Sequence, residues 1–197
     1  MKQFMRNQTK QQGRKLLKPA VFLLAQFGIT PTAVTITAVP LSVLAALLFA
    51  FGKFFWAGLV VICIGLCDTL DGELSRRTGK VSPEGAFLDS TVDRFSEGVV
   101  YAGIGWYYCL NNRLGVLVVL AALIFSYLVS YVRARAEGIG KECQVGFFER
   151  PIRVLILVAG ALIPGEKVLL GALIIIALGS LTTFIHRILF VLRQVRQ

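Results

Sequence analysis

The chain has 197 residues, 56% of them hydrophobic and only 16% charged, with a formal net charge of +10. So apolar a composition excludes an ordinary soluble globular domain and points to an integral membrane protein. The positive excess is scattered between apolar stretches, so it reads as membrane topology and contact with anionic lipid rather than as a nucleic-acid surface.

The first stretch, "MKQFMRNQTKQQGRK", is basic and has no apolar segment with a cleavage site directly behind it, so no removable signal peptide is expected. Next, "GRKLLKPAVFLLAQFGITP" sets Leu16, Leu17, Val21, Leu23 and Leu24 beside Lys15 and Lys18. Bracketed by Pro19 and Pro31, it predicts an amphipathic helix in the membrane interface rather than a partial seventh span.

Crossing a bilayer takes about 20 mostly apolar residues. Six stretches approach that length: Ala33 to Phe51, Phe54 to Leu70, Ala86 to Leu110, Leu114 to Val132, Ile152 to Ile163 and Lys167 to Val191. The third carries Asp89, Asp93, Arg94 and Glu97, and the fifth is short. None alternates with period two, which argues against a barrel. The expected fold is an all-α integral membrane protein: one domain over residues 1–197, with an interfacial segment (1–32) and a bundle of six transmembrane helices (33–197).

The basic residues support this division. With the N-terminus in the cytoplasm, that side holds Lys2, Arg6, Lys10, Arg14, Lys15, Lys18, Arg76, Arg77, Lys80, Arg133, Arg135, Lys141, Arg150, Arg153, Arg187, Arg193 and Arg196. The other side holds Lys53, Arg113 and Lys167, and Arg94 falls inside the third span. Such a bias predicts six spans in the cell membrane with both ends cytoplasmic. Cys63, Cys67, Cys109 and Cys143 show no metal-ligand spacing with His and read as small core hydrophobes.

"CDTLDGELSRRTGKVSPEGAFLDSTVDRF" contains the costly residues. Asp68 and Asp71 are three apart, and Asp89 and Asp93 four apart, so each pair projects from one face of a helix. The turn "RTGKVSPEG" between them predicts antiparallel neighbours with all four carboxylates face to face. The acids would otherwise pair only with Arg76, Arg77 and Arg94. Intramembrane acids, however, mark function by default, and a divalent cation relieves their mutual repulsion. An all-oxygen set suits magnesium or manganese rather than zinc, and magnesium commonly shares its shell with substrate phosphates. Gly72 would let a ligand approach the backbone, and Gly85 would allow close helix packing.

Asp68, Asp71-Gly72, Ser75-Arg76, Gly85, Asp89 and Asp93, at these spacings, resemble the signature of the CDP-alcohol phosphatidyltransferase family. Ser75 stands where the family has Ala. The resemblance extends over the six-span architecture and the interfacial helix. It implies that a hydroxyl attacks the lipid-linked phosphorus of a CDP-alcohol and that CMP departs. It further implies that Asp68, Asp71 and Asp89 ligate two Mg2+ or Mn2+ ions, with Asp93 completing the site and serving as general base. A carboxylate that takes the hydroxyl proton, beside ions that neutralise pyrophosphate, agrees with that chemistry. Asp68, Gly72, Ser75, Arg76 and Ser82 would contact the nucleotide. So would Pro31 and Thr35 of "TPTAVT", where Thr32 stands in place of a frequent Asp or Asn. A homodimer is also implied.

Two further segments bear on the acceptor. "SYVRARAEG" closes the fourth span, and "GFFERPIRVL" opens the fifth. They resemble the branch whose acceptor is inositol 1-phosphate and whose product is phosphatidylinositol phosphate; a Lys usually stands there at the position of Arg133. Matching positions make Arg133, Arg153 and Arg187 the candidates for the acceptor phosphate, with Arg135 and Arg150 secondary. Guanidinium groups suit phosphate by bidentate hydrogen bonding, though singly they serve equally as topology markers. Glycerol 3-phosphate is the competing acceptor, and CDP-archaeol competes with CDP-diacylglycerol as donor. His186, the single histidine, reads as an interfacial side chain. From a different class, a cation transporter would place its acids near the bilayer midplane, whereas here they gather towards one end. A scaffold without activity is disfavoured because no motif carboxylate is missing.

Overall fold

The computed structural model describes residues 19–196, which are helical apart from their connections. The six N-terminal cations Lys2 to Lys18, together with Leu16 and Leu17 of the expected interfacial helix, lie outside the described residues. The helices are α1 (residues 19–26), α2 (Pro31–Ala50), α3 (Phe54–Thr78), α4 (Pro83–Asn111), α5 (Arg113–Glu137), α6 (Arg150–Leu162) and α7 (Glu166–Val195).

Local chemistry sets the ends of these helices. The Thr30 hydroxyl accepts from the Ala33 N–H and Pro31 opens α2, while Ser82 accepts from the Gly85 N–H ahead of Pro83 at the start of α4. Both satisfy otherwise orphaned N–H groups, and the prolines lack one to satisfy. At the other end of α3, Gly79 adopts φ +67°, the left-handed cap that ends a helix without Cβ strain. Past Leu70, where the apolar run stops, α3 continues for two more turns to Thr78. Asp68, Asp71, Ser75 and Arg76 therefore share one rigid helix.

The helices pack as a closed ring: α2 lies against α3 and α4, α4 meets α5, α5 meets α7, α7 meets α6, and α6 returns to α3. The neighbours on which α3 packs most extensively are thus α2 and α6, not α4 as the short connecting turn suggests. Close approach explains the choice. A Cβ on Gly103 of α4 would run into the backbone of Ala46 in α2, so these two helices meet backbone to backbone. The core of the ring is filled by Phe49, Ile104, Tyr108, Leu169, Leu173 and Ile176. At the end away from the aspartates, the Tyr108 hydroxyl donates to the Glu166 carbonyl at 3.0 Å, which ties α4 to the start of α7.

Among the described residues four helices, α2, α3, α5 and α7, are long and apolar enough to cross a membrane, so the chain is a multi-pass membrane protein. The charges of α4 and the 13 residues of α6, about 20 Å of helix, keep these two from qualifying by the same measure although both belong to the ring. Outside the ring, α1 buries Val21 against Val34 and Leu74, and Arg77 lies over the Phe22 ring at 5.0 Å. Phe22 and Leu23 are left half exposed. The cysteines depart from the expected core role: Cys143 is buried, but Cys63 and Cys109 are exposed, and all four are free thiols. A helix in a bilayer can be apolar on its outer face too, so apolar surroundings in sequence do not place a residue inside.

Candidate active site

Asp68 and Asp71 come from α3, and Asp89 and Asp93 from α4. One carboxylate oxygen from each of Asp68, Asp71 and Asp89 lies within 4.8 Å of the others. Asp93, one turn beyond Asp89, is instead ion-paired through Oδ2 to Arg150 at 2.7 Å, and the same guanidinium nitrogen is 3.4 Å from Asp68. Asp71, 4% exposed, accepts a 2.6 Å hydrogen bond from the Thr35 hydroxyl, which fixes its orientation from α2.

The trio has the character of a cation site. Two unit charges 4 Å apart repel by roughly 4 kcal/mol at an effective dielectric of about 20. Among the described residues Arg150, at the edge of Asp68, is the one cation ion-paired to the trio, and Arg94 turns back to donate to the Ser90 carbonyl. Asp89 Oδ1 is buried without a hydrogen-bond partner among the described residues, which a native fold rarely leaves uncompensated. Three carboxylates whose hard oxygens converge, one of them with a buried unpartnered oxygen, fit a divalent cation.

Two cavities adjoin the trio and differ in character. One, of about 480 Å³, is lined by Pro31, Thr32 and Thr35 of α2, by Asp71, Gly72, Ser75 and Arg76 of α3, and by Lys80, Ser82, Gly85 and Asp89. Of the residues expected to contact nucleotide, all but Asp68 line this polar cleft. Ser75 donates to the Lys80 carbonyl at 3.0 Å and steadies the turn that forms its floor. Arg76 is held by Glu73 at 2.9 Å. The other, of about 350 Å³, is walled by Val61, Ile62, Leu66, Val154, Leu155, Leu157 and Val158, with Asp68, Glu97, Arg150 and Arg153 among its lining residues. Asp68 thus borders an apolar groove, while Asp71 and Asp89 border a polar cleft.

The arginines divide by burial. Arg153, 1% exposed, donates through Nε and Nη2 to Glu97 and through Nη1 to the Phe148 carbonyl. Arg187, also buried, donates through Nε to the Val145 carbonyl and through Nη1 to the Val129 carbonyl, and its Nη2 faces Glu149 at 3.7 Å. Arg133 is exposed and pairs with Glu137 one turn on. Arg135 and His186 are exposed. Arg133 and Arg153 are near enough to act electrostatically on Arg187. The long connection between α5 and α6 is held over this cluster by the Phe148 N–H, which donates to the Thr183 hydroxyl.

Glu97 is the residue that sequence reasoning passed over. It lies four residues after Asp93, so Asp89, Asp93 and Glu97 run down one face of α4, but its partner Arg153 is 56 residues away. Only the i, i+4 spacing could have found it.

Comparison with known proteins gives a consistent picture. The family model described as CDP-alcohol phosphatidyltransferase matches residues 28–192. The chain is similar to the phosphatidylinositol phosphate synthase of Mycobacteroides abscessus, 39% identical over 180 residues that cover 88% of this chain and 82% of the relative. The crystal structure of Mycobacterium tuberculosis phosphatidylinositol phosphate synthase with CDP-DAG bound superposes with a TM-score of 0.83 at 35% identity, over 90% of this chain and 94% of the other. The same enzyme in complex with manganese and citrate gives 0.82 at 36% identity, over 88% and 87% of the two chains.

Proposed function

The chain belongs to the CDP-alcohol phosphatidyltransferase family, and from that premise we propose that it transfers a phosphatidyl group from CDP-diacylglycerol to inositol 1-phosphate, making phosphatidylinositol phosphate and releasing CMP. The observation that carries this reading is the position of the aspartate trio between a polar cleft and an apolar groove. A CDP-lipid has the same order, with nucleotide on one side of a pyrophosphate and acyl chains on the other.

Asp68, Asp71 and Asp89, with Asp93 beside them, would hold Mg2+ or Mn2+, taken as two ions. When bound, such ions neutralise the pyrophosphate and stabilise the departing CMP. Pro31, Thr35, Gly72, Ser75, Arg76 and Ser82 receive the cytidine and its phosphates, with Asp68 at the junction. Gly72 presents no Cβ, so the ligand can approach the α3 backbone. Asp93 takes the proton from the attacking inositol hydroxyl. That oxygen bonds to the lipid-linked phosphorus, and the bond from this phosphorus to CMP breaks. The Arg150 ion pair on Asp93 Oδ2 lowers the basicity of this carboxylate, so loosening that pair would favour the proton transfer. The second anionic substrate supplies a reason, because its charge competes for the same guanidinium.

Arg133, Arg153 and Arg187 provide the positive field for the acceptor phosphate, with Arg135 and Arg150 at its margin. Like charges gathered at one place favour an anion among them. In the same reading the aspartate end faces the cytoplasm: the described cations of the 79–82 turn, the α5–α6 connection and the α7 terminus share that end, while Lys53, Arg113 and Lys167 mark the other. A homodimer in the bilayer belongs to this reading through the family resemblance.

The experiment is a panel of acceptors assayed with purified protein, CDP-diacylglycerol and Mg2+. CMP release with inositol 1-phosphate, and much less with glycerol 3-phosphate, free inositol or serine, is expected. Preference for glycerol 3-phosphate would overturn the acceptor assignment, and no release with any polyol phosphate would overturn the reaction.

A further inference from the structure

The three arginines of the acceptor region each face an acid, and the three pairs are not equivalent. Arg153–Glu97 is a buried, multidentate pair with side chains 1% and 8% exposed. Breaking it would strand a charge in the core, so it does not exchange with ligand. Arg133–Glu137 is a one-turn pair in which both side chains are about half exposed, and such pairs hold weakly. Arg187–Glu149 lies between these cases. The Arg187 side chain is 3% exposed and that of Glu149 33% exposed, and their separation of 3.7 Å is longer than a charge-assisted hydrogen bond.

Arg187 donates from Nε and Nη1 to backbone carbonyls, which leaves Nη2, with both of its N–H bonds, as the arm most open to an anion. Glu149 stands at that arm. It occupies the N-cap position of α6, yet its side chain makes no capping hydrogen bond, so no hydrogen bond to its own helix fixes the carboxylate there.

We infer that Glu149 is an anionic placeholder: its carboxylate occupies the Nη2 arm of Arg187 until the acceptor phosphate displaces it. This rests on the reading that the acceptor carries a phosphate. A dianionic phosphate outcompetes a single loosely placed carboxylate for a buried guanidinium, whereas a neutral polyol does not. The placeholder thereby keeps Arg187 compensated when no acceptor is present and imposes a threshold that favours phosphorylated acceptors over neutral ones. Glu149 acts through Arg187 and is a specificity-determining residue, not a catalytic one.

The sign of the effect separates this role from a structural one, because structural damage does not tighten a ligand. Inorganic phosphate is titrated calorimetrically into the full-length protein in nanodiscs, wild type against Glu149→Gln, with Glu149→Ala as a second variant should Gln perturb folding. Phosphate affinity should rise about three- to tenfold on removal of the competing charge. The KM for inositol 1-phosphate should fall in the same ratio, with the gain confined to KM. Equal or weaker phosphate binding in the variants overturns the inference. So does an equal gain from Glu137→Gln, which would reduce the effect to net charge. No phosphate binding by any form would overturn both the placeholder and the phosphorylated-acceptor reading. Tighter phosphate binding without turnover of inositol 1-phosphate would support the placeholder while removing that acceptor.

Discussion

Asp71 owes its orientation to a neighbour from another helix. The 2.6 Å hydrogen bond from Thr35 holds one carboxylate oxygen in place, and outer-shell partners of this kind typically govern metal affinity by about 10- to 100-fold. Thr35→Val keeps the shape and removes the donor, so the Mg2+ concentration for half-maximal activity should rise by about that factor. Unfolding temperature should change little. Asp93→Asn is isosteric and retains a partner for Arg150, so the protein should fold normally and lose turnover by at least about a hundredfold, the usual span of general-base effects. Near-normal CMP release in that variant would remove Asp93 from the role of base. The four aspartates could be read from sequence because helical periodicity fixes i, i+3 and i, i+4 neighbours whatever the rest of the chain does. Partners of the arginines could not. Arg153 with Glu97 and Arg187 with Val129 and Val145 are contacts across more than 40 residues, set by the path of the α5–α6 connection.

Among the elements, α4 is keyed to α6 by two acid–arginine rungs, Asp93–Arg150 and Glu97–Arg153. The second is buried, and removing one partner strands the other. Glu97→Ala should therefore destabilise the protein by about 3–5 kcal/mol, visible as a lower unfolding midpoint in detergent. The companion double variant Glu97→Leu with Arg153→Met should recover most of that loss. The α2–α4 contact depends on size instead of charge. Gly103→Ala puts a methyl group against the Ala46 backbone, which cannot rotate away, and should cost about 1–3 kcal/mol by the same assay. Helices α2 and α4 start at Pro31 and Pro83, a little before the spans expected from Ala33 and Ala86, because their caps at Thr30 and Ser82 are polar and hydropathy does not register them. The extent of α3 beyond Leu70 was hidden for the same reason, since hydropathy reports where a helix leaves the bilayer and not where it stops being a helix.

As a whole, the molecule is a ring of six helices that is apolar through most of its depth and polar at one end, with α1 lying beside that end. Hydropathy made the all-helical membrane fold legible, because the length and apolarity of a span are imposed by the bilayer. The order of helices round the ring was hidden, since it follows from steric matches such as Gly103 with Ala46 that no periodicity announces. The placement of Asp68 on the apolar groove and of Asp71 and Asp89 on the polar cleft emerges only at this scale. Under the proposed function, it couples lipid and nucleotide to one cluster of charge. The most direct test is CMP release from CDP-diacylglycerol in the presence of inositol 1-phosphate while EDTA is titrated against Mn2+ or Mg2+. Turnover should vanish as free metal is removed and return when either ion is restored to the wild type, but not to Asp71→Asn at the same metal concentration. Turnover that persists at full chelation, or that Asp71→Asn retains, would contradict the account.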